Sequence, residues 1–270
     1  MFGAICGDII GSYYEHHYTK EYDFELFHNG SCFTDDTVLT AAVCDVLLSH
    51  RDTSEKLSDK QYAEEYAYRY RQYYSRYPNA GFGEMFQEWA RSDNLYKQKS
   101  YGNGAAMRVV PIAYAFDNVE DVLNHAKLSA LYTHNNKEAI IGAQAVVASV
   151  FLALKGYSKN NIREYISKNF GYNLSVSIDE IRKTYVFDSR TGYSVPPAIM
   201  AFLQSDSYED AVRKAVSLGG DADTMACIAG GIAEAYYKII PENIRSKCWS
   251  LLDSGIKNII RHFCEAYVKK

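Results

Sequence analysis

The sequence predicts an all-α fold, a single compact orthogonal multi-helix domain spanning residues 1–270. Three observations predict it. Apolar residues recur at helical spacing from end to end. Strand-like alternation is almost absent, with Thr184-Tyr185-Val186-Phe187 the single tempting stretch. Neither an internal repeat of about 20–50 residues nor a Pro- or Ser-rich linker divides the chain. The polar segments 16–33 and 92–103 are the longest irregular stretches, and long loops in a compact domain are often functional.

The elements follow in order. A first helix, 2–12, is apolar around Asp8, a residue type that in such a setting ties a helix down or orients a ligand. Glu15 opens the first long loop, where a carboxylate can serve as ligand, general acid or general base, and His16-His17 is a solvated pair. Helix 35–49 starts at Thr34-Asp35-Asp36-Thr37: Thr34 caps it, the two acids face the positive end of its dipole, and Val38, Leu39, Ala41, Ala42, Val43, Val46 and Leu47 form its buried face. Helix 59–76 carries Tyr66-Ala67-Tyr68-Arg69-Tyr70-Arg71-Gln72-Tyr73-Tyr74, read as tyrosines packing on neighbouring helices rather than a stacking surface for bases. After helix 82–91, Ser100-Tyr101-Gly102-Asn103-Gly104-Ala105-Ala106-Met107-Arg108 is a glycine-rich turn running into helix 104–116, with backbone N–H groups able to cradle a phosphate. It is neither a Walker A loop nor a dinucleotide fingerprint, since no Gly-Lys-Ser/Thr ends it and no strand precedes it.

Helix 119–131 leads to Thr133-His134-Asn135 and then helix 136–155. A histidine at a helix start can donate to a phosphate or a ribose hydroxyl, although a lone histidine is more often structural. The apolar run 139–154 is shorter than the roughly 20 residues of a spanning helix and reads as a central buried helix. Helices 159–168, 192–204 and 207–217 follow. Gly219-Gly220-Asp221-Ala222-Asp223-Thr224 then opens helix 223–238, the glycine pair permitting a tight turn, and helix 241–266 closes the chain.

Composition bounds the function. The formal net charge is −4 with scattered lysine and arginine, which leaves no nucleic-acid footprint. Six cysteines show no Cys-x-x-Cys spacing and read as reduced, mostly buried thiols. No basic leader precedes the apolar start, so a cytoplasmic, membrane-free protein is expected, and no nucleophile elbow suggests covalent catalysis. Either acidic run alone is an ordinary helix start. Two double-acid runs near opposite ends of the chain, one behind a Gly-Gly pair, point instead to carboxylates and hydroxyls converging where two helix N-termini meet. Such an oxygen-rich, repulsive shell suits hard divalent cations such as magnesium, most simply two of them.

Taken together, these segments resemble the ADP-ribosylglycohydrolase family, which includes the dinitrogenase-reductase-activating glycohydrolases. The resemblance covers nearly the whole chain. It rests on Gly-Asp-x-x-Gly-Ser-x-x-Glu at 7–15, Phe-Thr-Asp-Asp-Thr at 33–37, Ser-Tyr-Gly-Asn-Gly-Ala-Ala-Met-Arg at 100–108, Leu-Tyr-Thr-His at 131–134 and Ser-Leu-Gly-Gly-Asp-Ala-Asp-Thr at 217–224. It implies an all-α fold with a dinuclear cleft holding two divalent ions, Mg2+ first and Mn2+ as the alternative. Thr34, Asp35, Asp36, Asp221, Asp223 and Thr224 would form the metal shell, with Glu15 on a flexible loop over the cleft as ligand or proton carrier. Ser100, Gly102, Asn103, Gly104 and His134 would line the diphosphate and distal ribose, and Tyr101 would stack on the adenine. Ala222 stands where many relatives carry threonine, and its side chain should point away from the metals.

The implied reaction is metal-dependent hydrolysis of the glycosidic bond between ADP-ribose and a protein side chain, an ADP-ribose chain or a small molecule, by a monomer. Gly-Ser-x-Tyr-Glu and Ser-Tyr-Gly-Asn-Gly lean to the branch that processes serine-linked and polymeric ADP-ribose rather than the arginine branch. The competing readings are a non-catalytic ADP-ribose-binding protein on the same fold, as in lens-protein relatives that have lost catalytic acids, and a dinuclear nucleotide phosphohydrolase.

Overall fold

In a computed structural model, which describes residues 1–51 and 57–268, the chain is helical throughout the described residues, with isolated β-bridges and no strand. The helices run in order α1 (Phe2–His16), α2 (Asp35–Ser49), α3 (Asp59–Arg76), α4 (Glu84–Arg91), α5 (Gly104–Met107), α6 (Ile112–Ala115), α7 (Val119–Ala130) and α8 (Lys137–Leu154). They continue with α9 (Lys159–Phe170), α10 (Ile178–Thr184), α11 (Thr191–Leu203), α12 (Tyr208–Val216), α13 (Ala222–Tyr237), α14 (Glu242–Leu251) and α15 (Ser254–Phe263), the last ending in a π-turn at Cys264–Val268.

Side-chain caps set eight of the helix starts. Thr34, Ser58, Asn118, Asn136, Ser158, Ser177, Ser207 and Asp253 each accept a bond from a first-turn N–H, filling donors that a helix start leaves orphaned. Ser58 and Gln61 complete a reciprocal capping box.

Three expectations are corrected. The expected helix 104–116 is two short helices, because Pro111 offers no N–H and disfavours helical backbone at Val110. The closing helix is likewise two, divided where Leu252 turns extended and Asp253 caps α15. The strand-like stretch at 184–187 is the end of α10 followed by irregular chain.

α1 and α13 lie antiparallel at the centre, and α12, α11 and α8 pack around α13. α2 carries α3 and α15 on its outer side, and α7 bridges α3 to α8. As expected, α8 is a mostly buried core helix, and Tyr66, Tyr70, Tyr73 and Tyr74 of α3 are buried packing residues. The central pair is in backbone contact. A methyl group at Gly7 would fall on the Ala226 carbonyl, one at Gly11 on that of Ala222, and one at Gly3 within 2.6 Å of that of Gly230. Residues 3, 7 and 11 share one helical face, so the line of closest approach of α1 to α13 is glycine, with Ala4 beside it against Gly231.

Because the obstruction at Gly7 is backbone, Gly7→Ala should force the helices apart and cost about 1–3 kcal/mol, lowering the melting temperature by several degrees. Gly30→Ala, where a methyl meets only the Tyr13 ring at 3.5 Å, should leave it nearly unchanged; equal melts for both would contradict the contact.

Candidate active site

The next residue on the glycine face of α1 is Glu15, one turn beyond Gly11. It belongs to the last turn of the helix, not to the loop where the sequence placed it. No glycine or proline stops α1 after Ser12, and His17 secures the end by stacking on Tyr13 (4.1 Å between ring centres) and hydrogen bonding to the Tyr13 carbonyl (2.9 Å). Since α1 and α13 are antiparallel, Glu15 is delivered to the start of α13, where Asp221 and Asp223 stand.

Asp8, on the neighbouring face of α1, fastens α2. Fully buried, it accepts bonds from Thr34 N (3.0 Å), Thr34 Oγ1 (2.7 Å), Thr37 N (3.1 Å) and Thr37 Oγ1. It therefore acts as a cap supplied from another helix, in the orienting role its sequence context suggested. The Thr34 hydroxyl also accepts from Asp36 N (3.3 Å). Asp36 then reaches α13, accepting from Thr224 Oγ1 at 3.2 Å. The two acidic runs thus meet, as the sequence required.

Carboxylate oxygens of Asp8, Asp36 and Asp223 lie within 4.8 Å of one another, as do those of Glu15, Asp221 and Asp223. Asp223 is common to both groups. Asp35, half-buried, lies on the cleft wall outside either group. Burial pushes every one of these acids up, and repulsion from neighbouring carboxylates adds to it at all but Asp8, whose hydrogen bonds pull the other way: Asp8 and Asp221 rise to about 6, Glu15 to about 7, and Asp35, Asp36 and Asp223 well above the usual carboxylate range. Asp36 Oδ1 is buried without a hydrogen-bond partner. An all-oxygen set of clustered, repelling carboxylates with an orphaned buried oxygen could hold hard divalent cations, with Asp8 present in one group and Asp35 in neither. The Thr34 hydroxyl proton is taken by Asp8, which leaves that residue a lone pair at most to offer a cation.

All of these acids but Asp8 floor a cleft of about 420 Å3. On another wall lie Ser100, Gly102, Asn103, Gly104 and His134. The turn is strung between two segments: Gln98 and Ser100 N–H donate to the Tyr132 and Thr133 carbonyls, while Asn103 N–H donates to Ser189 O and Thr191 N–H to Tyr101 O, both at 2.9 Å. The Asn103 amide is committed within the protein, donating to Asp221 Oδ2 (2.8 Å) and Ser194 Oγ (3.0 Å), so it aims an acid rather than standing free for a ligand. Tyr101 is 58% exposed between two wall residues and is not itself part of the wall. Ala222 is buried and off the wall, as expected. The cleft also has walls that were not legible in the sequence: Gly81 from the α3–α4 connection, Glu84 and Met85 from the first turn of α4, and Phe187 and Ser189 ahead of α11. The one available hint was Gly81, left-handed at φ 98° and close against Asp35.

Comparison with known proteins converges on one group. The family model described as ADP-ribosylglycohydrolase matches residues 1–269. ADP-ribosylhydrolase ARH3 of Homo sapiens is 29% identical, the match covering 92% of this chain and 87% of that protein. The Danio rerio ARH3 is 26% identical, with 92% and 85% covered. A solved structure of an ADP-ribosylglycohydrolase-related protein complex superposes with a TM-score of 0.69 over 99% of this chain and 95% of its own, at 22% identity, a likeness of fold.

The acids make a definite pH signature. Asp8, Asp221 and Glu15 titrate near 6–7 when folded against ordinary values of 3.8 and 4.5, so between about pH 4 and 7 the folded protein binds more protons than the unfolded chain and stability falls as pH rises. In chelator, the melting temperature should therefore drop from about pH 5 to about pH 8, and saturating Mg2+ or Mn2+ should remove or reverse that drop. The same slope with and without divalent cation would rule out cation binding by these acids.

Proposed function

The chain belongs to the ADP-ribosylglycohydrolase family and is an enzyme of that class, and we propose that it hydrolyses the glycosidic bond linking ADP-ribose to an acceptor, with two divalent cations, most simply Mg2+, held at the acid cluster. The observation that carries this reading is the meeting of the two helix starts: acids from α2 and α13, joined through Asp223, lie at the floor of a cleft whose other wall is a glycine-rich turn with a histidine beside it. Thr34, Asp35, Asp36, Asp221, Asp223 and Thr224 would hold the cations, with Glu15 at the edge of the same group. When bound, such ions supply the positive charge that lets the acids ionise together and polarise the oxygens that reach them.

The chain's own groups do the rest. The Gly102–Gly104 turn and His134 bind the ADP-ribose half and fix its orientation, which is where much of the rate gain of a positioned substrate arises. Ser100 Oγ accepts from Gly102 N–H (3.1 Å) and keeps the turn in shape, and Asn103 holds Asp221 in place. Glu15, pushed up to about 7, stands among the acids and lines the cleft. At neutral pH it is poised to hand a proton to the departing acceptor oxygen or to take one from the attacking water while the ribose passes through an oxocarbenium-like state. The acceptor faces Glu15, and on the wording of the two glycine motifs we take it to be O-linked, as in serine or an ADP-ribose chain.

Asp36→Asn and Asp223→Asn should each lower turnover about 100-fold or more at any metal concentration, whereas Glu15→Gln should bind ADP-ribose normally and lose about 10²–10⁴ in kcat. Unimpaired turnover in Glu15→Gln would remove it from the proton path. Release of intact ADP-ribose from serine-linked but not arginine-linked ADP-ribosyl peptides, abolished by chelator, is the expected result of a matched assay. Release of AMP or phosphate instead would mark a phosphohydrolase.

A further inference from the structure

In the cleft wall itself lies an arginine with no solvent exposure. The Arg108 guanidinium lies over the Tyr70 ring at 4.0 Å, and its Nη2 donates to the Ser129 carbonyl (2.9 Å) and to Thr133 Oγ1 (2.7 Å). A guanidinium has no lone pair to offer, so the threonine hydroxyl is the acceptor in that bond. The same Oγ1 lies 2.8 Å from Nδ1 of His134. Thr133 is buried, and a hydroxyl proton left without an acceptor there would cost about 1–3 kcal/mol. The proton therefore goes to His134 Nδ1, which must present its lone pair. In a neutral imidazole this places the ring proton on Nε2. Burial and the neighbouring Arg108 hold His134 well below the usual histidine range, so the ring is neutral.

Nε2 faces the turn: a methyl at Gly104 would sit 3.2 Å from it and one at Gly102 3.8 Å. We propose that Thr133, anchored by Arg108, is a positioning residue that locks His134 in the Nε2–H form, so that the cleft offers a hydrogen-bond donor to an acceptor oxygen of ADP-ribose at the Gly102–Gly104 turn. The identity of the ligand rests on the function proposed above; the locked tautomer does not. The relay runs from Arg108 to Thr133 to His134 to ligand, and the Thr133 hydroxyl and the neutral His134 ring each have a single proton to give. A neutral donor also suits a site that must bind an anionic substrate while its acids need their cations, because the histidine adds no charge of its own.

The test begins with the ligand-free wild-type protein carrying 15N-labelled histidine. A long-range 1H–15N correlation spectrum should show His134 protonated on Nε2 with a lone pair on Nδ1; a proton on Nδ1 overturns the proposal. Thr133→Val keeps the side-chain shape and removes the hydroxyl. It should give a mixed-tautomer spectrum and weaken ADP-ribose binding about three- to tenfold, raising KM with little change in kcat, and Thr133→Ser should restore both spectrum and affinity. Wild-type affinity in a folded Thr133→Val also overturns the proposal, as does failure of serine to restore. If the wild type binds no ADP-ribose, the substrate reading fails and takes the ligand half of the proposal with it, while the spectrum still decides the tautomer.

Discussion

The backbone contact between α1 and α13 governs the rest of the molecule. Helices with ordinary side chains stand about 8–10 Å apart, and at that separation the carboxylates at the start of α13 would be carried away from those at the start of α2. The glycine face removes the side chains between the two axes. It also sets the register: with Gly3, Gly7 and Gly11 seated on the carbonyls of Gly230, Ala226 and Ala222, the next turn of α1 can only bring Glu15 to the acids at 221 and 223. Asp8 then adds the third element, since its bonds to Thr34 and Thr37 fasten the start of α2 one face away. One helix thus supplies the spacing, the aim and two acids of the site, Asp8 and Glu15.

The electrostatic arrangement runs against folding. Six acids gathered in one buried place disfavour the folded state wherever they ionise, and the positive ends of two helix dipoles offset only part of this. Hydrogen bonds from backbone and threonine hydroxyls lower Asp8 against the effect of burial, yet it still remains above an ordinary aspartate. The acids nearest the floor have fewer such partners, and Asp36 keeps one oxygen with none. The molecule therefore concentrates its least comfortable charges where a ligand of opposite charge would relieve them, a common bargain at sites selected for binding rather than stability.

Much of this was legible in the sequence. Helical spacing located the main helices because each buries one face, and the acidic runs could be read because capping chemistry is local: Thr34 caps α2 and the glycine pair precedes Asp221. Asp8 could be recognised as an orienting residue from its apolar setting, though not what it would hold. Less was legible where long-range contact decides. Glu15 was expected in a loop because the polarity of residues 16–33 begins just after it, whereas the helix continues through it to His16, fixed by the His17–Tyr13 stack. The wall at Phe187 comes from a connection with no periodicity of its own, and Met85, in the first turn of α4, is brought to the cleft by how that short helix packs. Asn103 could be placed on the glycine-rich turn, but its commitment to Asp221, 118 residues away, is a product of the fold. Arg108 and Thr133 looked like the tail of one motif and the lead of another, and only their shared contact joins them.

The antiparallel pairing of α1 with α13 also has a consequence in time. A chain made from its amino end presents α1 first and α13 more than 200 residues later. Until then the glycine face, with Ile5, Ile9 and Ile10 around it, has no surface to meet, and a contact so distant in sequence is slow to find by chance. The acids cannot gather early, so the growing chain is spared their repulsion, but an apolar first helix must wait in company with α2 and whatever else has emerged. The site is thus assembled late, by the same closure that buries the glycine face of α1.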